Sequence, residues 1–230
     1  QKMPSSDRDL LINGAIERFL DETAENEKSA AAERGDAKSF SVKKCSHLTP
    51  IWNQIINIGS AEDLLKSEIQ EHVILIKKNL KFQYVRFWNI FSDKLFIDIN
   101  NKSGNYNFSR LDQVLDFIIT SGLKPFFDFE EKENRINESI ELAISYEPGN
   151  CQFDTVNNWQ MLIRAFTKHC LKRYGQEEMS SWIIEVWYGG YRIRGFGANE
   201  NFYTQFDSVY RIVKEYVPDL KIGGPGFLPE

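Results

Sequence analysis

The chain has 230 residues, of which 42% are hydrophobic and 27% charged, and its net charge is −5. This is the composition of a globular protein, and no apolar run approaches the roughly 20 residues that cross a bilayer, so no membrane partner is expected. The acidic balance also argues against nucleic acid as this segment's own partner, because DNA-binding domains carry a basic face.

Residues 4–34 read as a helix. Ser6 and Asp9 fit an S-x-x-D start, and Leu11, Ile12, Ala15, Ile16, Phe19 and Leu20 recur at helical spacing. The segment 1–38 is therefore expected to be an N-terminal helix and linker, and 39–230 the main domain. Phe40-Ser41-Val42 reads as a weak first strand, and Ala61–Leu80 as a helix. Strands follow at Tyr84–Trp88, Lys124–Phe129, Trp182–Trp187 and Lys221–Gly224. They are separated by helices over Leu111–Thr120, Asn158–Tyr174 and Asn201–Tyr216. Gly122 and Gly175 are expected to stop two of those helices. Strands alternating with helices imply a parallel sheet. A dinucleotide fingerprint and a P-loop are both lacking, so no cofactor is expected and a barrel is preferred to an open nucleotide-binding sheet.

The cysteines, Cys45, Cys151 and Cys170, are far apart, and His47, His72 and His169 show no ligand spacing. No metal site is expected. Free thiols fit a reducing compartment, and Gln1–Ser6 has no apolar leader core, so the expected localisation is cytoplasmic.

In a parallel barrel, chemistry gathers at the C-terminal ends of the strands. Those ends supply Arg86, Trp88 and Asn89, then Asp128, Glu130 and Glu131, then Glu185, Trp187 and Tyr188. Carboxylates, an arginine and aromatic platforms suit a carbohydrate. Arg86 paired with Asp128 or Glu185 inside the barrel, with no ligand, is an equally open reading. The run Glu130-Glu131-Lys132-Glu133 reads as a solvated loop. Side chains repeat every second residue along a strand, so Trp88 and Trp187 are expected above Arg86 and Glu185, as a stacking pair over a charged pair. The expected ligand-binding residues are Arg86, Trp88, Glu185, Trp187 and Tyr188.

Several segments, in order, resemble glycoside hydrolase family 39. They are Asn79–Phe87, Tyr106–Asp112, Gly122–Phe126, Leu162–Phe166 with Arg173–Gly175, Glu185-Val186-Trp187 and Asp219–Pro225. Trp52–Leu65 and Arg86–Ser92 further resemble the barrel domain of large AraC-type transcriptional regulators. The resemblance implies a (β/α)₈ TIM-barrel type of α/β fold, with about five βα units in this chain and the remaining three in the parent protein. It also implies that a general acid/base glutamate would follow the fourth strand in an Asn-Glu-Pro run. Tyr188, Gly189 and Gly190 stand at those positions. Gly189 cannot transfer a proton, and Glu185 lies four residues earlier, about 13 Å along an extended strand. A retaining hydrolase needs two carboxyl groups about 5–5.5 Å apart.

No catalysis is therefore expected. The preferred reading is a non-catalytic sensory or structural domain of an AraC-type regulator, with a small carbohydrate as ligand. DNA would be contacted only through domains outside this chain, and a homodimer or pairing with the rest of the barrel is expected. A β-xylosidase-like hydrolase and a scaffolding or dimerisation domain are the alternatives.

Overall fold

Alternation along the strands sets the architecture. Tyr84–Trp88, Lys124–Phe129 and Ile183–Trp187 each bury every second residue from their second position onward, and each ends on a buried side chain. The computed structural model describes residues 53–136, 144–148 and 152–226. The expected helix over 4–34, the strand at Phe40–Val42 and the boundary at residue 38 lie outside these residues.

In chain order the strands are β1 (Ile55–Ser60), β2 (Tyr84–Trp88), β3 (Lys124–Phe129), β4 (Lys132–Ile136), β5 (Ile144–Pro148), β6 (Gln152–Phe153), β7 (Ile183–Trp187), β8 (Arg192–Ile193) and β9 (Lys221–Gly226). The helices are α1 (Ser67–Leu80), α2 (Ser109–Thr120), α3 (Val156–Ser180) and α4 (Ala198–Tyr216). Five strands form one parallel sheet in the order β1-β2-β3-β7-β9. Each sheet strand neighbours the one before it, with no reversal of direction. A doubly wound sheet would reverse at a switch point, whereas a barrel does not. The fold is the (β/α)₈ TIM-barrel type, and five of its parallel strands lie among the described residues.

The first strand of this sheet is Ile55–Ser60, a segment in which no strand is expected from the sequence. Its apolar residues are only partly buried and Gly59 interrupts its pairing register, which weakens the signal. The single helix expected over Ala61–Leu80 is also divided. Ala61–Leu65 is a short 3₁₀ turn, Lys66 is extended (φ −84°, ψ 129°), and α1 starts at Ser67. The Gln70 amide donates to Leu64 O at 2.7 Å across the break.

The helices cover the sheet with their apolar stripes. α2 buries Leu111, Val114, Leu115 and Ile118 and stops at Gly122, which takes the left-handed conformation expected of it (φ 69°). α3 is capped by Thr155, whose hydroxyl accepts from Asn158 N at 3.1 Å. It is broken at Gly175 (φ 81°, ψ 165°) and then resumes to Ser180. Between sheet and helices lies a core of edge-to-face and tilted aromatic rings. Phe127 contacts Phe87, Phe166 and Trp182 at 5.3–5.5 Å between centroids, and Phe91 meets Phe129 and Phe166 at 5.3 and 5.5 Å. Such pairs add about 0.5–1.5 kcal/mol each beyond area burial.

Beyond β3 the chain forms an antiparallel hairpin, β4 with β5, running from Lys132 opposite Pro148 to Ile136 opposite Ile144. This hairpin is not read from the sequence, and it changes the site.

Candidate functional site at the strand ends

The residues of β2, β3 and β7 that do not face the helices converge. Arg86 Nη2 lies 2.7 Å from Asp128 Oδ2 and 2.6 Å from Glu185 Oε2, and its Nε donates to the same Glu185 oxygen at 3.1 Å. Register places Asp128 opposite Glu185 on the adjoining strand, which lets one guanidinium serve both. Trp187 donates its indole N–H to Glu185 Oε2 at 3.2 Å. A Cβ at Gly226, on β9, would run into the Trp187 indole, so bare backbone there makes room for the ring.

Lys132 completes the cluster. Its ammonium lies 2.9 Å from Asp128 Oδ2 and 2.8 Å from Glu130 Oε2. It also stands 3.9 Å from the Trp187 ring centroid and 4.6 Å from that of Trp88. The space expected for a sugar ring against the tryptophans therefore holds a lysine of the same chain. The expected solvated loop is corrected: Glu130 is 3% exposed and Lys132 7%. Phe126, Asp128, Glu130 and Lys132 continue the two-residue period of β3, and that spacing was the available signal.

Asn89 holds this segment. It sits at the end of β2 in the left-handed region (φ 58°). Its side-chain carbonyl accepts from Lys132 N at 2.7 Å, and its amide donates to Lys132 O at 3.0 Å and to Ser60 Oγ at 2.9 Å. Its backbone N–H donates to Glu130 O at 3.0 Å.

Burial sets the electrostatics. Asp128 is wholly buried, and loss of water raises its pKa to about 6 against the opposing pull of Lys132 and Arg86. Burial likewise raises Glu130 to about 7, with Lys132 opposing.

Arg86, Trp88, Glu185 and Trp187 thus come together as expected, joined by Asp128, Glu130, Lys132 and Asn89. Tyr188 does not join them. Its hydroxyl bonds Asn199 Oδ1 at 2.7 Å and its ring packs on Phe202, both on α4. Gly189 (φ 83°) lines a separate cleft of about 350 Å³ with Gln152 and Arg192. Among the described residues no group of three or more His, Cys, Asp or Glu is placed to hold a metal, and no helix is long and apolar enough to cross a membrane. Cys170 is buried and free, and burial pushes its thiol pKa up; Cys45 and Cys151 lie outside the described residues.

A parallel barrel sheet whose strand ends gather carboxylates, an arginine and indoles has its candidate site where (β/α)₈ domains carry their chemistry. Residues 38–228 match Glycosyl hydrolases family 39, and the chain belongs to that family. It is 22% identical over 188 residues to a β-xylosidase of Caldicellulosiruptor saccharolyticus, covering 80% of this chain and 38% of that protein. To a β-xylosidase of Geobacillus stearothermophilus it is 25% identical over 182 residues, covering 76% and 36%. Among solved structures, a GH39 enzyme from Xanthomonas axonopodis pv. citri superposes with a TM-score of 0.59 at 26% identity, covering 75% of this chain and 35% of that one. A GH39 β-xylosidase from Caulobacter crescentus gives 0.59 at 26% identity, covering 80% and 42%. The chain thus spans well under half the length of these relatives.

Proposed function

We propose that this is a non-catalytic glycosidase-like domain that binds a carbohydrate-class ligand at its strand ends without cleaving it, in the setting its sequence resembles, an AraC-type regulator. The observation that carries this reading is the commitment of the strand-end carboxylates. Asp128 and Glu185 share the Arg86 guanidinium, and Asp128 and Glu130 share the Lys132 ammonium. Retaining hydrolysis requires one carboxylate free to attack the anomeric carbon and a second group to protonate the leaving oxygen. The position at which the family resemblance implies the acid/base is Gly189, which has no side chain.

The test is turnover of an aryl β-xyloside together with calorimetric titration of pentoses, hexoses and hexosamines. Background turnover and measurable sugar binding that weakens in Trp187→Ala are expected. Hydrolysis abolished by Glu185→Gln would overturn the non-catalytic reading. Absence of any sugar binding at millimolar concentration would overturn the ligand. Two observations favour other readings. The relatives named as β-xylosidases, together with a Glu130 raised to about 7, fit an active hydrolase with Glu130 as acid. The burial of Trp88 and Trp187, at 3% and 8% exposed, fits a scaffold. The same two measurements separate all three.

A further inference from the structure

The surroundings of Lys132 have a chemistry of their own. Two indole faces and two carboxylates converge on one ammonium, with its nitrogen 3.9 and 4.6 Å from the ring centroids and 2.9 and 2.8 Å from the carboxylate oxygens. Aromatic faces attract cations through their quadrupoles, more strongly when water is excluded, and cages of this kind recognise ammonium ligands. Trp88, Asp128 and Trp187 come from the sheet strands. Lys132 comes from the hairpin outside that sheet.

Charge decides what could replace Lys132. With its ammonium withdrawn, Asp128, Glu130 and Glu185 would answer to Arg86 alone, three carboxylates to one cation. A neutral sugar entering between the tryptophans would leave that imbalance buried, which is costly. A ligand carrying its own ammonium would leave the count unchanged. Asp128 Oδ1 is also buried with no hydrogen-bond partner among the described residues, so a further acceptor stands in the cluster. A cleft of about 420 Å³ reaches Lys132, lined by Asp93 and Glu131 and by Glu62, which pairs with Lys94 across it. Asn89 grips the backbone of Lys132 and not its side chain, so this anchoring of the hairpin does not depend on where the ammonium sits.

We propose that the strand-end cage is an ammonium-binding site, that Lys132 is its resident occupant, and that its exchangeable ligand is an aminated sugar or a related amine. The sugar part rests on the carbohydrate reading above; the ammonium part does not. Calorimetry at pH 7.5 with n-butylammonium, D-glucosamine, N-acetyl-D-glucosamine and D-glucose, on the wild type and Lys132→Ala, tests it. The variant is expected to bind n-butylammonium and glucosamine about tenfold or more tightly than the wild type does. It should prefer glucosamine to glucose and to the N-acetylated sugar by a similar factor. Glucose bound as well as glucosamine overturns the cage and leaves the carbohydrate site standing. Binding of n-butylammonium with no sugar bound supports the cage and removes the carbohydrate. A folded variant that binds no n-butylammonium overturns the proposal. A variant that folds only with n-butylammonium present supports it. One that folds in neither condition is replaced by Lys132→Gln, whose melting midpoint the same amine must raise for the proposal to stand.

Discussion

Along β2, β3 and β7, residues facing the helices alternate one by one with residues facing away, yet the two sets are held by different forces. On the helix side Val85, Phe87, Phe127, Phe129, Ile184 and Val186 are at most 1% exposed and belong to one apolar core. On the other side Arg86, Asp128 and Glu185 hold one another through charge, and the tryptophans at the strand ends close over a lysine. The helix side gains stability in proportion to area and tolerates a change of pH. The other side depends on every charge having its partner, so its stability changes with pH and with the loss of a single group. Cohesion of the core and the charge balance of the strand-end cluster are therefore separable, residue by neighbouring residue.

The largest expected effect lies on the apolar side. Phe127→Ala should cost about 3–5 kcal/mol in chemical denaturation, independent of pH between 5 and 8, because it leaves a cavity among rings. Lys132→Met should cost less, about 2–4 kcal/mol at pH 8, by leaving Asp128 and Glu130 buried without their cation. At pH 5 the cost should shrink, since both carboxyls can then take up a proton. Adding Glu130→Gln should return part of the loss at pH 8. If Phe127→Ala proved pH-dependent and Lys132→Met did not, the division between the two sides would fail.

A smaller effect is expected in the wild type itself. Asp128 and Glu130 are raised to about 6 and 7, above the ordinary carboxyl range of the unfolded chain. The folded protein therefore takes up protons that the unfolded chain does not, as pH falls through 7 and 6. Stability should rise on acidification from pH 8 to about 5, with a slope of order 1 kcal/mol per pH unit for each group at most, and be lost again as pH rises through the same window. Thermal melts at a series of pH values measure it, and Glu130→Gln should flatten the upper part. The smallest effect belongs to the exposed pair of Lys94 with Glu62, 2.8 Å apart. Lys94→Ala should cost at most about 1 kcal/mol, and less in high salt.

The apolar side was legible in the sequence because alternation and helical stripes are local signals. Strands at Tyr84–Trp88, Lys124–Phe129 and the segment ending at Trp187 follow from them, as do the breaks at Gly122 and Gly175. β1 was not legible, because Ile55 is exposed and Gly59 interrupts the run, so half its pattern is missing. The convergence of Arg86 with Glu185 followed from a two-residue period on strands of one parallel sheet. The role of Lys132 did not. Four consecutive charged residues describe a solvated loop unless something distant buries them. Here that is an asparagine 43 positions upstream and indoles from two other strands.

The Asn89 side chain has one more consequence. Its carbonyl and amide meet the N–H and C=O of Lys132 as a facing residue in an antiparallel ladder would. The side chain imitates a peptide unit and adds a rung of pairing where no strand residue stands, so the hairpin is sewn to the end of β2 by one amide. An aspartate could accept from Lys132 N but could not donate to Lys132 O, and a glutamine would carry the same amide one methylene too far. A glycine would keep the left-handed turn and lose both stitches. Position 89 is thus where one side chain ties the first residue of the hairpin to the end of the sheet.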